Sequence, residues 1–297
     1  MNATSRASSA ERFSDPNTFY MMRRKITLVG AGGKMGGRLT ERLKGSAYDV
    51  SYLEVHPAAL ARLKEKGVTV SDPESAVPQC DILVLAVPDV VIAKVAAEYV
   101  PRLRAGAMVV VLDPAAPLAG ALPPREDVAY FATHPSHPSV FNWEPERDAH
   151  FDFFGGNKAR QTIVCALVQG TDADYADGEA LARTIYAPVT VAHRITLDQM
   201  GLLEPALSET FTASLVTLMK EAVDLVVEKG VPREAATDFF LGHLNIELAL
   251  LFGQLPGGQF SDGALKAIEY GRKSIINQDW KQLFEPASVM TQIRAIT

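Results

Sequence analysis

With only Cys80 and Cys165 among 297 residues, the chain cannot be a disulfide-stapled scaffold. Each cysteine falls inside an apolar, strand-like run, the setting of a buried thiol in a reducing compartment. Cationic excess is also missing, since the net charge is -6, and a chain without a basic surplus is poorly equipped to neutralise nucleic-acid phosphates. No stretch reaches the ~18 consecutive apolar residues that a membrane span requires. Residues 1–22 lack the apolar centre of a signal peptide and contain Glu11 and Asp15, unlike a transit peptide. They are expected to form a flexible leader, with Met21 or Met22 a possible natural start. A soluble, cytoplasmic protein that binds neither nucleic acid nor membrane is expected. What the chain has in quantity is apolar content, 47 % hydrophobic residues with 8 % aromatics, enough for well-packed cores in two domains of ordinary size.

The longest patterned stretch runs from Thr196 to Lys229. Its apolar side chains recur at three- and four-residue steps through Leu197, Phe211, Leu215, Leu218, Ala222 and Leu225. A single helix of ~34 residues and ~50 Å is expected, ended by Gly230 and Pro232. Glu204 and Ser208 occupy positions on the apolar stripe. An inward carboxylate needs a partner or a cation, so Glu204 is a functional candidate, and Pro205 should disturb the helix beside it.

Earlier in the chain, Lys25–Gly30 (KITLVG) is a β-branched and aliphatic run that breaks into glycines before a helical pattern begins at Lys34. Strand, glycine turn and helix, in that order, are the context of a dinucleotide fingerprint. Gly30, Gly33 and Gly36 fit GxxGxxG better than GxGxxG. Gly30, Gly32, Gly33, Lys34, Met35 and Gly36 are therefore expected to line the pyrophosphate, held by the amides of the helix start. The strand Tyr48–Leu53 ends in Glu54, placed to accept from both ribose hydroxyls and to repel a 2'-phosphate, which favours NAD over NADP. A solvated strand-end glutamate is the plainer alternative. Further strands are expected at Val68–Val70, Asp81–Val87 and Met108–Leu112, with helices at Ala58–Lys66 and Val90–Tyr99. This alternation predicts a Rossmann-type doubly wound parallel sheet.

The strand Ala129–Thr133 leads into His134-Pro135-Ser136-His137-Pro138. Two histidines at this spacing could bind a metal, but the prolines hold the backbone extended and the rings need not converge. His134 alone is expected to face the crevice at the strand end, with His137 more simply a turn residue. After strands at Gln161–Val168 and Val189–His193 and a helix at Ala173–Tyr186, the remaining pattern is helical, over Arg233–Phe252, Ala264–Ile276 and Pro286–Arg294. His243, Asn245 and Glu247 interrupt an apolar segment that is hydrophobic on several sides, so a homodimer through the C-terminal helices is expected. The chain divides into a leader (1–22), a NAD-binding Rossmann domain (23–195) and an all-helical substrate and dimerisation domain (196–297).

With the glycine turn, Glu54, LAVPD and a long helix after the nucleotide domain, the chain resembles the 6-phosphogluconate and 3-hydroxyacid dehydrogenase superfamily. The strand-end ATHP is also similar to the histidine-proline turn of prephenate dehydrogenases. It departs from the 3-hydroxyacid dehydrogenases at LLEPALSET, which lacks their helix lysine; none occurs in the long stretch before Lys220. GAGGKMG, THPSHPSVFN, FFGGNKARQ, LLEPALSET and GHLNIELAL together resemble the D-apionate oxidoisomerases of apiose catabolism. That resemblance implies NAD-dependent oxidation of a branched sugar acid, followed by migration of a hydroxymethyl group to give 3-oxo-isoapionate. Such a shift needs a polarised ketone beside a deprotonated hydroxyl, the work of one divalent cation. Mg2+ is expected, with His134 and Glu204 as both metal ligands and catalytic residues; Lys158 or Arg160 could hold the substrate carboxylate. Two alternatives stand beside it: a metal-independent dehydrogenase of a hydroxyacid or prephenate-like acid with His134 as base, and a non-catalytic NAD-binding regulator.

Overall fold

A computed structural model describes residues 24–297; the leader expected at residues 1–22 lies outside the described residues. Five parallel strands open the sheet: β1 (Lys25–Val29), β2 (Asp49–Leu53), β3 (Ile82–Leu85), β4 (Met108–Val111) and β5 (Ala129–Pro135). Two more, β6 (Gln161–Gln169) and β7 (Val189–Arg194), complete the order β2-β1-β3-β4-β5-β6-β7. The order reverses between β1 and β3, the crevice position at which doubly wound sheets bind ligands.

Successive side chains of the central strands serve opposite faces, and both faces are buried. Val29, Leu83, Leu85, Val109 and Val111 pack with helix α4 (Asp89–Tyr99) on one side. On the other, Ile26, Leu28, Ile82, Val84 and Phe131 meet α1 (Lys34–Leu43) and α7 (Asp172–Ile185). Cys80 and Cys165 are buried free thiols. Between these elements lie α2 (Pro57–Glu65), α3 (Pro73–Gln79), α5 (Ala115–Leu118) and α6 (Arg147–His150).

Three expectations need correction. The sheet is not parallel throughout: β6 runs antiparallel to β5, and β7 follows β6. No full crossover helix separates β5 from β6, so the chain returns in the opposite sense. Val68–Val70 forms no strand; the segment is tied to β2 through the Ser71 N–H to the Tyr52 carbonyl (2.8 Å) and turns at Asp72 into the cap of α3. The expected ~34-residue helix is broken: α8 (Leu197–Gly201) gives way to wide π-type turns over Leu202–Ala213, and α9 (Ser214–Glu228) resumes regular geometry. Glu204 inside the break has φ -137° and ψ 110°, the extended conformation favoured before a proline.

After Arg194 every element is helical, ending with α10 (Arg233–Leu251), α11 (Asp262–Ile275), a 3-10 turn at Trp280–Phe284 and α12 (Pro286–Ile296). Val289 and Ile293 of α12 join Ala115 and Ala206 in a small core that holds the broken helix against α5. By contrast α10 buries only Ala236, and α11 buries nothing. Among the described residues no helix is long and apolar enough to cross a membrane.

The glycine turn supports a paired test. A Cβ on Gly36 would lie 1.9 Å from the Gly30 carbonyl oxygen, whereas one on Gly37 meets nothing nearer than the Ala31 carbonyl at 4.0 Å. Gly36→Ala should lower the urea-unfolding free energy by roughly 1–3 kcal/mol. Gly37→Ala should leave it unchanged or raise it by up to about 1 kcal/mol.

Candidate active site

The dinucleotide side is built at the switch point. Gly30 takes φ +79°, and a Cβ there would strike the Ala86 carbonyl at 2.5 Å; on Gly32 it would strike Ala59. These glycines let β1, β3 and α2 close around the turn. Gly33 caps α1 without any side chain, so the first amides of the helix are left bare. They adjoin a cavity of about 580 Å³ whose walls include Gly30, Gly33, Glu54, Val87 and Lys94.

Glu54 is not a free strand-end carboxylate. One oxygen accepts the Gly32 N–H at 2.9 Å, and the other accepts the Val55 and His56 N–H groups at 2.9 and 3.0 Å. The residue thus braces the glycine turn while lining the cavity. Arg62 donates to the Gly32 carbonyl from the other side (2.8 Å). Lys34 begins α1, while Met35 packs its side chain against the Ile26–Leu28 core. Only the backbone of Met35 is therefore placed for a pyrophosphate.

A second cavity, of about 370 Å³, lies where β5 meets the broken helix and is walled by His134, His137, Val164, Leu203, Glu204 and Ser208, among others. Here the structure brings His134 and Glu204 together and adds a residue that the sequence reading missed. One ligand atom each of Asp113, His134 and Glu204 lies within 4.8 Å of the others. Asp113 follows β4 and is held by the Ala115 N–H at 2.7 Å. Its signal was present, an acid directly after a buried aliphatic strand, at the carboxyl end where ligands bind. His137 does not join the set; its ring stands edge-on to His134 with centroids 6.0 Å apart.

The electrostatics of the cluster follow from burial and like charge. Burial pushes the Glu204 carboxyl up to about 7 against a hydrogen bond from Ser208, and Glu209 and Asp113 add their repulsion. Burial likewise raises Asp113 to about 6, opposed by its bond from Ala115 and reinforced by Asp89 and Glu209. His134 is driven down to about 4 by burial and by His137. Its Nδ1 lies 2.9 Å from the Pro135 carbonyl. A carbonyl only accepts, so Nδ1 carries the proton and Nε2 keeps its lone pair.

Among the described residues no lysine or arginine lines this cavity. Lys158 is paired with Asp148 at 2.8 Å, and Arg160 with Glu144 at 3.1 Å. Both cations proposed for a substrate carboxylate are thus engaged elsewhere. Two acids and a neutral imidazole without a counter-charge form a donor set suited to a hard divalent cation.

A Rossmann sheet, a helix start with bare amides and a cleft at the switch point define an oxidoreductase of the dinucleotide-binding class. Residues 25–117 match the family described as NADP oxidoreductase coenzyme F420-dependent, and residues 142–297 match phosphogluconate dehydrogenase (decarboxylating) C-term. The D-apionate oxidoisomerase of Cupriavidus necator is 48% identical over 93% of this chain and 100% of its own length. That of Rhizobium rhizogenes is 49% identical over 92% of this chain and 99% of its own. The crystal structure of a semialdehyde dehydrogenase NAD-binding protein from Cupriavidus necator, in complex with calcium and NAD, superposes with a TM-score of 0.91. It is 48% identical and covers 93% of this chain and 100% of that one. The chain belongs to the D-apionate oxidoisomerase family.

Raised carboxyl pKa values make apo stability pH-dependent. Folded Glu204 and Asp113 keep protons that the unfolded chain has released, so the native state binds more protons and stability falls as pH rises. His134 acts in the opposite sense only below its ordinary value of 6.5. From pH 6.5 to 8 in EDTA, the urea midpoint should therefore decline as Glu204 ionises. Glu204→Gln should flatten that slope, and a divalent ion added at pH 8 should restore the midpoint.

Proposed function

We infer that the chain oxidises D-apionate with NAD and rearranges the product to 3-oxo-isoapionate, assisted by a divalent cation, as the names of its relatives and the solved calcium–NAD complex of its neighbour suggest. The observation that carries this reading is the convergence of Asp113, His134 and Glu204 at a cleft that no lysine or arginine among the described residues lines. These three side chains would hold the cation. When bound, it polarises a ketone and acidifies the neighbouring hydroxyl, the two requirements of a 1,2-shift.

The chain's own contributions are positional. Bare amides at the start of α1 take the pyrophosphate, and Glu54, lining the same cavity, accepts from the ribose. Proline-directed extension at Glu204 turns a carboxylate out of the helix and into the cleft. The Nδ1–H bond of His134 keeps Nε2 as the donor atom. Met200, Leu203, Leu207 and Val164 supply the apolar walls that limit water at the site. Mg2+ is the physiological choice we favour, because the two carboxylate donors suit a hard ion that retains waters.

The reading includes a homodimer. Phe239 is 70 % exposed on α10, Leu265 52 % and Ile275 64 % on α11, and such a surface calls for a second copy. Burial of both thiols accords with a cytoplasmic setting.

With D-apionate, NAD and Mg2+, NADH should form and EDTA should abolish it; carbon NMR of the product should show a rearranged skeleton. Asp113→Asn and Glu204→Gln should each lower kcat by roughly 10²-fold or more. EDTA-resistant turnover with an unchanged skeleton would instead identify a simple dehydrogenase with His134 as base, and NAD binding without reduction a regulator. Sedimentation should report a dimer that Phe239→Glu weakens.

A further inference from the structure

His137 is the sole non-glycine residue with positive φ among the described residues, at +61°. That conformation is uncommon outside glycine, and the following Pro138 biases its predecessor toward extended backbone. Strain of this kind persists only where the surroundings impose it, and here the constraint is visible. The Nδ1 of His137 lies 2.8 Å from the Phe154 carbonyl, so Nδ1 carries the hydrogen and Nε2 of the neutral ring is left as an acceptor. The ring also meets the Phe154 ring edge-on at 5.9 Å.

Phe154 belongs to a loop that is itself clamped. The Asp152 carboxylate accepts N–H groups from Asn157, Lys158 and Ala159 at 3.1, 2.8 and 3.2 Å. Arg42 of α1 donates to the Gly156 carbonyl at 2.5 Å and also to that of Asn157. Arg38, one turn earlier, stacks its guanidinium over the Phe154 ring at 4.2 Å. The imidazole held by this assembly walls the cavity that contains His134, Glu204 and Ser208, without joining the cation-ligating set.

We propose that His137 is a substrate-binding residue, its Nε2 accepting a hydrogen bond from a hydroxyl of the polyhydroxylated acid in this cavity, and that Arg42 is a positioning residue acting through the Asp152–Arg160 loop. The proposal rests on the sugar-acid reading above. It gives the cavity a fixed acceptor for hydroxyl groups, apart from the groups reserved for a cation.

Steady-state kinetics with D-apionate, NAD and Mg2+ test it on full-length wild type, His137→Asn, Arg42→Ala and the double variant. Asparagine tolerates the left-handed backbone and is too short to reproduce the contact, so the chain should still fold cooperatively, with the melting temperature lowered by no more than a few degrees. His137→Asn should raise KM for the acid about tenfold, with KM for NAD and Mg2+ affinity by calorimetry within twofold of wild type. Arg42→Ala should raise the same KM less, and the double variant should be no worse than His137→Asn. A KM for the acid within twofold of wild type in His137→Asn overturns the proposal, as does a parallel loss of NAD and Mg2+ binding, which marks a structural role. Additive effects in the double variant remove Arg42 from it. Wild type that never reduces NAD with D-apionate sinks the sugar-acid reading and this inference with it.

Discussion

Uncompensated negative charge in a partly buried cleft is the constraint on which the site depends. Asp113 arrives from the end of β4 and Glu204 from a break in the helix that follows the sheet. Burying two carboxylates side by side is unfavourable unless something positive lies between them. Among the described residues no arginine or lysine lies there, and Lys158 and Arg160 are paired elsewhere. Instead the protein supplies an imidazole whose tautomer is set by a main-chain carbonyl. The geometry of the cleft fits an ion that neutralises both acids at once.

Two local devices make this arrangement possible. Pro205 forbids regular helix at Glu204, so a side chain that would have lain along the stripe is aimed at the sheet. β6 pairs with β5 as far as Pro135, which holds the His134 turn against a second strand rather than leaving it as a loose loop. Both devices spend regular secondary structure to place one functional atom, the pattern expected of a binding cleft on an otherwise well-packed scaffold.

Much of this was legible in the residues. Glu204 stood out because a carboxylate interrupted an apolar stripe, and Pro205 beside it announced a disturbance. The extent of that disturbance, a dozen residues of π-type turns, was not, because the apolar period survives it. His134 could be read from its place after a buried strand. Asp113 occupies an equivalent place but is followed by Pro114 and two alanines, and so resembled an ordinary turn residue. The reversal of β6 left no trace, since a mostly aliphatic run reads alike in either direction. Nor could Arg42 be found, because its partners are carbonyl oxygens more than a hundred positions away, and main-chain acceptors have no sequence signature.

Helix α1 joins matters that are usually separate. Its first turn faces the nucleotide cleft, and Arg38 and Arg42 further along it grip the loop that holds His137. Ten residues of continuous helix therefore carry both the amides offered to one cavity and the two guanidinium groups that brace the wall of the other.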